Sequence, residues 1–299
     1  MKIKITEVSP RDGLQNESKI VSTEEKLLFI NKLMESGLEH IEVTSFVRKD
    51  RIPQLSDSNE LSQLLTDDIK SKSSVLVPNL IGYENALKNG YKEIAIFTAA
   101  SDSFTKKNIN MSIKESIKSF EDISKRALID GIRIRVYIST VLYCPYEGYI
   151  NPSKVLETIN LLENFLPYEI SLGDTIGAGV PSDTEKLLNL LLNKYPSNLF
   201  AGHFHDTYGM AIANVAKSIE LGIRSFDSSS GGLGGCPYAK GASGNLATED
   251  LLYFLIKSGY ETGVSLEKII SASNYIRKIL NKDISSKTFQ ALIPKIEEN

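Results

Sequence analysis

Two of the three histidines in the chain, His203 and His205, lie two residues apart in the segment 203–206 (HFHD). On a β-strand, alternation of side chains would place both imidazoles on one face, at a spacing suited to holding one metal ion. Asp12, which follows the first predicted strand, is a third candidate ligand. One aspartate and two histidines suit Mg²⁺, Mn²⁺ or Fe²⁺, since structural zinc normally requires thiolates or four protein ligands. The alternative is that both histidines only form hydrogen bonds inside the core.

A second candidate for chemistry is the glycine-rich segment 231–245, which contains six glycines in fifteen residues. Such a backbone can approach a ligand closely and can move as a lid. It is not a nucleotide-binding P-loop, because Lys240 precedes Gly241 whereas the Walker pattern requires Gly-Lys-Ser/Thr. Cys236 in this segment is either a reactive thiol or incidental. For Cys144, at the end of a predicted strand, a structural role is favoured.

The composition excludes several classes of protein. The 299 residues are 41% hydrophobic and 24% charged, which is ordinary for a globular protein and not for a disordered or fibrous one. A formal charge of −3 leaves no excess of basic residues to neutralise a phosphate backbone, so no nucleic-acid partner is expected. With two cysteines, no signal peptide and no long apolar segment, we expect a soluble cytoplasmic protein that does not bind membranes.

The candidate residues must be positioned by the elements around them. Short β-branched runs alternate with longer segments of helical period, which is typical of βα units with a parallel sheet. The predicted strands are residues 2–8, 40–46, 73–79, 93–99, 133–142, 168–174, 199–206 and 225–229. Because eight such strands close a barrel, we predict a TIM (β/α)₈ barrel, in which loops at the carboxyl ends of the strands share one face.

Helix signals agree with this pattern. Ser22 and Glu25 form a predicted capping box, and Gly37 ends the helix that follows it. Further helices are predicted at residues 112–130, 153–165, 182–195 and 265–280.

No linker or repeat divides the chain, so we predict one TIM-barrel catalytic domain over residues 1–299. The barrel spans about 1–260, and an additional C-terminal helical segment spans about 261–299. That segment either caps the barrel or serves the interface of a homodimer, and residues 297–299 are expected to fray.

The chain resembles the hydroxymethylglutaryl-CoA lyases of the DRE-TIM metallolyase superfamily. The motifs that carry the resemblance occur in the family's order and extend to about Gly259. The matching segments are 9–17 (SPRDGLQNE), 42–47 (EVTSFV), 144–148 (CPYEG), 171–177 (SLGDTIG), 203–207 (HFHDT), the glycine-rich 231–245 and 247–250 (ATED). The resemblance implies cleavage of (S)-3-hydroxy-3-methylglutaryl-CoA to acetyl-CoA and acetoacetate with a divalent cation, Mg²⁺ or Mn²⁺.

The resemblance also implies roles for particular residues. The expected metal ligands are Asp12, His203, His205 and Asn245. Arg11 is expected to stabilise the enolate, Cys236 to act as the catalytic loop cysteine, and Asp12, His203 or water to take the hydroxyl proton. The remaining residues are Glu42, Asp174 and Glu249, which orient the site or tune its protonation, with Asp174 and Glu249 also counted among the substrate-binding residues, and Ser45 and Ser171, which contact substrate.

Structural alternatives remain open for three of these carboxylates. Glu42 and Asp174 could simply pair with Arg11 or another cation, and Glu249 could only complement a helix dipole. The basic run 48–51 (RKDR) is read as a solvated loop in preference to a site for the phosphates of CoA.

Alternatives also remain for the function. They are a related acyl-CoA-dependent Claisen synthase or aldolase on the same barrel, a lyase for a longer-branched 3-hydroxyglutaryl-CoA, and a metal-dependent CoA-thioester binding protein without catalysis.

Overall fold

The computed structural model describes residues 1–235 and 244–297. Within these residues eight parallel strands form a closed barrel, in which the first strand pairs with both the second and the last. The strands are β1 (Lys4–Glu7), β2 (Ile41–Ser45), β3 (Ser73–Leu76), β4 (Glu93–Ala99), β5 (Arg133–Ser139), β6 (Glu169–Asp174), β7 (Phe200–Phe204) and β8 (Ser225–Ser228). The predicted TIM barrel is therefore confirmed.

Several strands end earlier than the sequence predicts. The run 133–142 leaves the sheet after Ser139, because Thr140 adopts a left-handed backbone conformation with φ of 57°. The run 199–206 ends as a strand at Phe204, and His205 then forms an isolated bridge with Asn245. These early exits place polar side chains in the loops at the mouth of the barrel.

Helices surround the barrel. Those described are α1 (Thr23–Glu35), α2 (Ser58–Leu64), α3 (Asp67–Ser71), α4 (Leu80–Lys88), α5 (Asp102–Ile109), α6 (Ile113–Ser119), α7 (Glu121–Asp130), α8 (Pro152–Leu162), α9 (Pro181–Leu192), α10 (Ala211–Glu220), α11 (Thr248–Lys257), α12 (Leu266–Leu280) and α13 (Lys287–Glu297). None of these described helices combines the length and apolar character needed to span a bilayer.

Local signals explain most helix ends, with one correction. Ser22 and Glu25 form the predicted capping box of α1. The single helix predicted over 112–130 is wrong, because the chain turns at Phe120 into α6 and α7. The turn directs Phe120 into the core, where its ring lies edge-on to Phe97 with 6.1 Å between centroids. Burying an aromatic ring in this way favours the break over a continuous helix.

Two helices follow the eighth βα unit. The helix α12 begins after Ser265 as predicted and packs against α1 and α11. The helix α13 lies inside the predicted C-terminal helical segment, about 261–299, although the sequence did not predict it as a separate helix. Asp250 of α11 holds its start, since one carboxylate oxygen accepts hydrogen bonds from Ser286 Oγ (2.9 Å) and Thr288 N (2.7 Å).

Charged side chains fill the amino-terminal half of the barrel interior. Arg135 is fully buried, and its Nε donates to Glu169 Oε2 on the neighbouring strand at 2.6 Å. Lys4 Nζ reaches the other oxygen of Glu169 at 3.0 Å. A buried guanidinium is tolerated because it is paired.

Alanine substitutions at two glycines with left-handed backbones distinguish the cost of backbone strain from the cost of a steric clash. Alanine in place of Gly90 (φ 86°) would meet nothing within 4 Å, whereas at Gly37 (φ 96°) its Cβ would lie 2.4 Å from Gly263 O. We expect Gly90→Ala to cost about 1 kcal/mol of unfolding free energy. Gly37→Ala should cost roughly 1–3 kcal/mol more. Urea unfolding measures both, and equal losses would show that the contact with Gly263 is unimportant.

Candidate active site

A tight turn places the first two candidate residues at the barrel mouth. Residues Ser9–Gly13 form one π-helical turn directly after β1, in which the N–H groups of Arg11 and Asp12 donate to Val8 O. Gly13 is required here, because a Cβ would lie 2.8 Å from Ser229 Oγ. Single π turns of this kind are frequent at functional sites.

Asp12, His203 and His205 converge at this mouth. Each offers a ligand atom, and these atoms lie within 4.8 Å of one another. Burial and the neighbouring His203 lower the pKa of His205 to about 4, so its imidazole is neutral and can offer a lone pair. Burial would raise the pKa of Asp12, but Arg11 and the two histidines hold it below its usual range, so the carboxylate is ionised.

Asn245 joins the cluster through its pairing with His205. Its Nδ2 donates to Asp12 Oδ2 at 2.8 Å and to Leu233 O at 3.1 Å. Among the described residues, neither Asn245 Oδ1 nor His205 Nδ1 has a hydrogen-bond partner, although both are buried. Unsatisfied buried acceptors are costly, and a bound cation would satisfy such atoms. The donor set therefore fits a divalent ion.

Arg11 lies between two carboxylates. Its Nη1 donates to Asp12 Oδ1 at 2.6 Å and its Nε donates to Glu42 Oε1. Burial opposes its charge, but Glu42 and Asp12 raise the pKa of Arg11 above its ordinary value. The hydroxyl of Tyr137 donates to the other oxygen of Glu42 at 2.8 Å. The Arg11 guanidinium lies 5.4 Å from the centre of the Tyr137 ring. Glu42 thus pairs with Arg11, which is the structural role that the sequence analysis left open for it.

A cavity of about 860 Å³ opens beside these groups. The wall of the cavity includes Arg11, Asp12, Ser45, Tyr137, His203 and His205. The helix α5 contributes a further wall through Phe104, Lys107, Asn108 and Ile109, and Arg48 and Arg51 border the cavity as well. The basic run 48–51 is exposed, as expected for a solvated loop, and Arg48 pairs with Asp50 there, while Arg48 and Arg51 also border the cavity.

Five of the predicted site residues that the structure describes do not line this cavity, namely Glu42, Asn245, Ser171, Asp174 and Glu249. Ser171 Oγ donates to Asp227 Oδ2 at 2.7 Å inside the barrel. Asp174 Oδ2 accepts from Gly179 N at 2.9 Å, and burial raises the pKa of Asp174 to about 6. Glu249 accepts from Gly231 N and Ser273 Oγ, and burial raises its pKa to about 8. Cys236 lies outside the described residues.

Sequence reasoning missed Tyr137, Arg135 and Asp227. The signal for the first two was present, since in 133–139 (RIRVYIS) the apolar residues alternate with Arg135 and Tyr137, which places the two polar side chains together on the inner face. Asp227 likewise interrupts a buried strand. Arg135 Nη2 donates to Asp227 Oδ1 at 2.6 Å. Burial would raise the pKa of Asp227, but Arg135 and His203 hold it well below its usual range.

Fold and site together define a TIM-barrel protein with a candidate divalent-metal centre at the carboxyl ends of its strands. The family model described as HMGL-like matches residues 2–276, and the chain belongs to that family.

Known relatives agree with this assignment. The chain is 50% identical over 290 residues to the mitochondrial hydroxymethylglutaryl-CoA lyase of Pongo abelii, covering 97% of this chain and 89% of that protein. Curated relatives at similar identity include both mitochondrial and cytoplasmic lyases.

Solved structures are similar over nearly the whole chain. The hydroxymethylglutaryl-CoA lyase of Pseudomonas aeruginosa superposes with a TM-score of 0.94 at 43% identity, covering 98% of both chains. The HMG-CoA lyase of Acinetobacter baumannii, solved in complex with coenzyme A and 3-methylmalate, gives a TM-score of 0.91 at 33% identity, covering 97% of this chain and 95% of that one.

The raised pKa of Glu249 predicts a pH dependence of stability. The folded protein keeps this carboxyl protonated up to about pH 8, whereas the unfolded chain releases the proton near 4.5. The stabilisation is fully present below pH 4.5 and is lost as pH rises through 8. In thermal unfolding, we expect the melting temperature of Glu249→Gln to fall less between pH 5 and pH 8 than that of the parent. The exposed Glu157→Gln should retain the parental slope, and an unchanged slope in Glu249→Gln would contradict the assignment.

Proposed function

We propose that this protein cleaves (S)-3-hydroxy-3-methylglutaryl-CoA into acetyl-CoA and acetoacetate. The observation that carries the proposal is the convergence of Asp12, His203 and His205 beside the buried Arg11, in a chain about 50% identical to hydroxymethylglutaryl-CoA lyases. In this reaction the C2–C3 bond breaks, the 3-hydroxyl loses its proton to become the ketone of acetoacetate, and C2 keeps the electron pair. Protonation of the resulting enolate gives acetyl-CoA.

Four residues would hold the divalent cation, Mg²⁺ or Mn²⁺. They are Asp12, His203, His205 and Asn245, which supply one carboxylate, two imidazoles and an amide oxygen. When bound, such an ion supplies Lewis-acid polarisation, which acidifies an alcohol. Asp12 and His203 both line the cavity. Of the candidate bases, Asp12 or water is proposed to take the hydroxyl proton, because the two ring nitrogens of His203 would be used by Asp227 and the cation.

Arg11 is proposed to stabilise the enolate oxygen. Its guanidinium remains charged, and Glu42 and Asp12 fix its orientation through Nε and Nη1. No acceptor within the described chain is paired with Nη2, so this group can donate to an oxygen in the cavity. One preorganised donor of this kind is typically worth about 2.7–4 kcal/mol in the transition state.

Other site residues are assigned from the family resemblance and their placement. Ser45 lines the cavity and is proposed to contact substrate. Ser171, Asp174 and Glu249 act indirectly, since their partners lie in the surrounding scaffold. Cys236 is proposed to deliver a proton to the acetyl-CoA carbanion, because a thiol on a glycine-rich segment can arrive with substrate.

We further propose that the CoA end of the substrate binds at the cavity wall formed by α5. Lys107 on this helix, together with Arg48 and Arg51, which border the same cavity, provides cationic groups that suit phosphates. A relative has been solved in complex with coenzyme A, which supports a CoA thioester as ligand.

The organisation of the molecule completes the proposal. We propose that residues 1–299 form one catalytic domain, because α12 and α13 pack on helices of the barrel. A cytoplasmic location and a homodimer remain sequence-based proposals, and cytoplasmic lyases among the relatives are compatible with the first.

Cleavage is tested by incubating purified protein with the thioester and Mg²⁺ or Mn²⁺ and assaying acetoacetate. Asp12→Ala removes the carboxylate shared by the metal cluster and Arg11, so we expect kcat/KM to fall at least about 100-fold. Chelation by EDTA should abolish activity, and added cation should restore it.

The control is Asp283→Ala, at an exposed position outside the site. Binding of the thioester without acetoacetate would identify a sensor instead of a lyase, and faster turnover of longer-branched thioesters would identify the alternative lyase. Full activity of Asp12→Ala would overturn the ligand assignment.

Lys107→Ala tests the CoA wall. Loss of a charge-assisted contact to phosphate should raise KM for the CoA thioester roughly 10-fold with little change in kcat. The neighbouring Lys106 does not line the cavity, so Lys106→Ala is the matched control. A short thioester without the nucleotide should be insensitive to both changes, and equal KM values for the two variants would place CoA elsewhere.

A further inference from the structure

We propose that Asp227 is a positioning residue that fixes the tautomer and orientation of His203 for metal binding, and that Arg135 and Ser171 hold its carboxylate in place. The inference rests on the metal centre of the proposed function. It adds the side chains that fix one of the metal ligands before the metal binds.

The contact between the two side chains is set by strand register. Asp227 on β8 pairs directly with His203 on β7, and His203 Nδ1 lies 3.0 Å from Asp227 Oδ2. An ionised carboxylate can only accept hydrogen bonds, so His203 must carry its proton on Nδ1. Its Nε2 then presents a lone pair, which is the form a metal requires.

The carboxylate of Asp227 is itself immobilised. Arg135 donates to both of its oxygens, from Nη2 to Oδ1 at 2.6 Å and from Nη1 to Oδ2 at 3.2 Å. Ser171 Oγ adds a bond to Oδ2 at 2.7 Å. Glu169 fixes Arg135 in turn through Nε. A carboxylate with these donors cannot rotate without breaking a charged bond, so it defines the plane in which His203 is held.

The two histidines are therefore not equivalent. His203 is held by Asp227 and by a T-shaped contact with the Tyr137 ring, with 5.9 Å between ring centroids. His205 Nδ1 has no partner in the described part of the chain. This asymmetry predicts that His203 is preorganised for metal binding. Substitutions at Asp227 should therefore lower the affinity for the metal by changing the state of His203.

Asp227→Asn provides the test. The shorter of the two bonds from Arg135, from Nη2 to Oδ1 at 2.6 Å against 3.2 Å to Oδ2, favours the amide oxygen at the Oδ1 position. The amide NH₂ then faces His203 and reverses its tautomer, as in a catalytic triad whose aspartate becomes asparagine. We expect the Kd for Mn²⁺, measured by titration followed by electron paramagnetic resonance, to rise about 10–100-fold. Acetoacetate formation should recover largely at saturating Mn²⁺. Glu169→Gln is the matched control, because it removes the other carboxylate on Arg135 and leaves His203 untouched.

Histidine-selective ¹⁵N NMR of the metal-free protein reads the tautomer directly, and three histidines keep the spectrum simple. The parent should show His203 protonated on Nδ1, and Asp227→Asn should show it protonated on Nε2. Should Asp227→Asn fail to fold because the buried Arg135 keeps Glu169 as its one carboxylate partner, Asp227→Asn combined with Arg135→Gln removes that charge, and its Kd for Mn²⁺ answers the same question.

Parental Mn²⁺ affinity in either Asp227 variant would overturn the inference, as would an unchanged tautomer in Asp227→Asn or an equal loss of affinity in Glu169→Gln. A parent protein that binds Mn²⁺ and yields no acetoacetate would reject the proposed function alone, since the Mn²⁺ titration and the tautomer still decide the role of Asp227.

Discussion

Two buried guanidinium groups, each held between carboxylates, organise the interior of this barrel. Arg11 lies between Glu42 and Asp12, and Arg135 lies between Glu169 and Asp227. Removing one partner of a buried pair typically costs about 3–5 kcal/mol, because it leaves an uncompensated charge. Asp12 contributes to the metal cluster and Asp227 supports it through His203. The same ion pairs therefore stabilise the fold and position the candidate site.

The buried carboxylates fall into two groups according to their partners. Asp12 and Asp227 face cations and have lowered pKa values, so they remain charged where a metal is expected. Glu7 and Glu249 have raised pKa values, chiefly through burial, and accept bonds from the backbone N–H groups of Ser230 and Gly231. This second group holds the start of the glycine-rich segment. Charge is concentrated at the cation site, while the support of the adjoining segment depends on hydrogen bonds.

The sequence was informative where the signal is local and less so where it depends on distant pairing. Alternation and spacing predicted the eight strands, and the histidine pair with Asp12 indicated the metal cluster, because a barrel must bring strand ends together. Ser171 shows the limit. Its local motif gave no sign of the hydrogen bond from its hydroxyl to Asp227, 56 residues away along the chain. The break at Phe120 escaped prediction for a related reason, since the turn buries Phe120 against Phe97, a residue of β4 that is distant in the sequence.

Strand order explains how Asp227 comes to support the metal cluster through His203. Asp12 follows β1 and His203 lies on β7, and the strand between them in the closed sheet is β8, which carries Asp227. A slip of β8 by one residue would turn Asp227 to the outer face. That slip would leave Arg135 with one carboxylate partner and His203 Nδ1 with none among the described residues. The electrostatic cost of both losses opposes the slip, so the charges that prepare the metal site also select the register of the strand that closes the barrel.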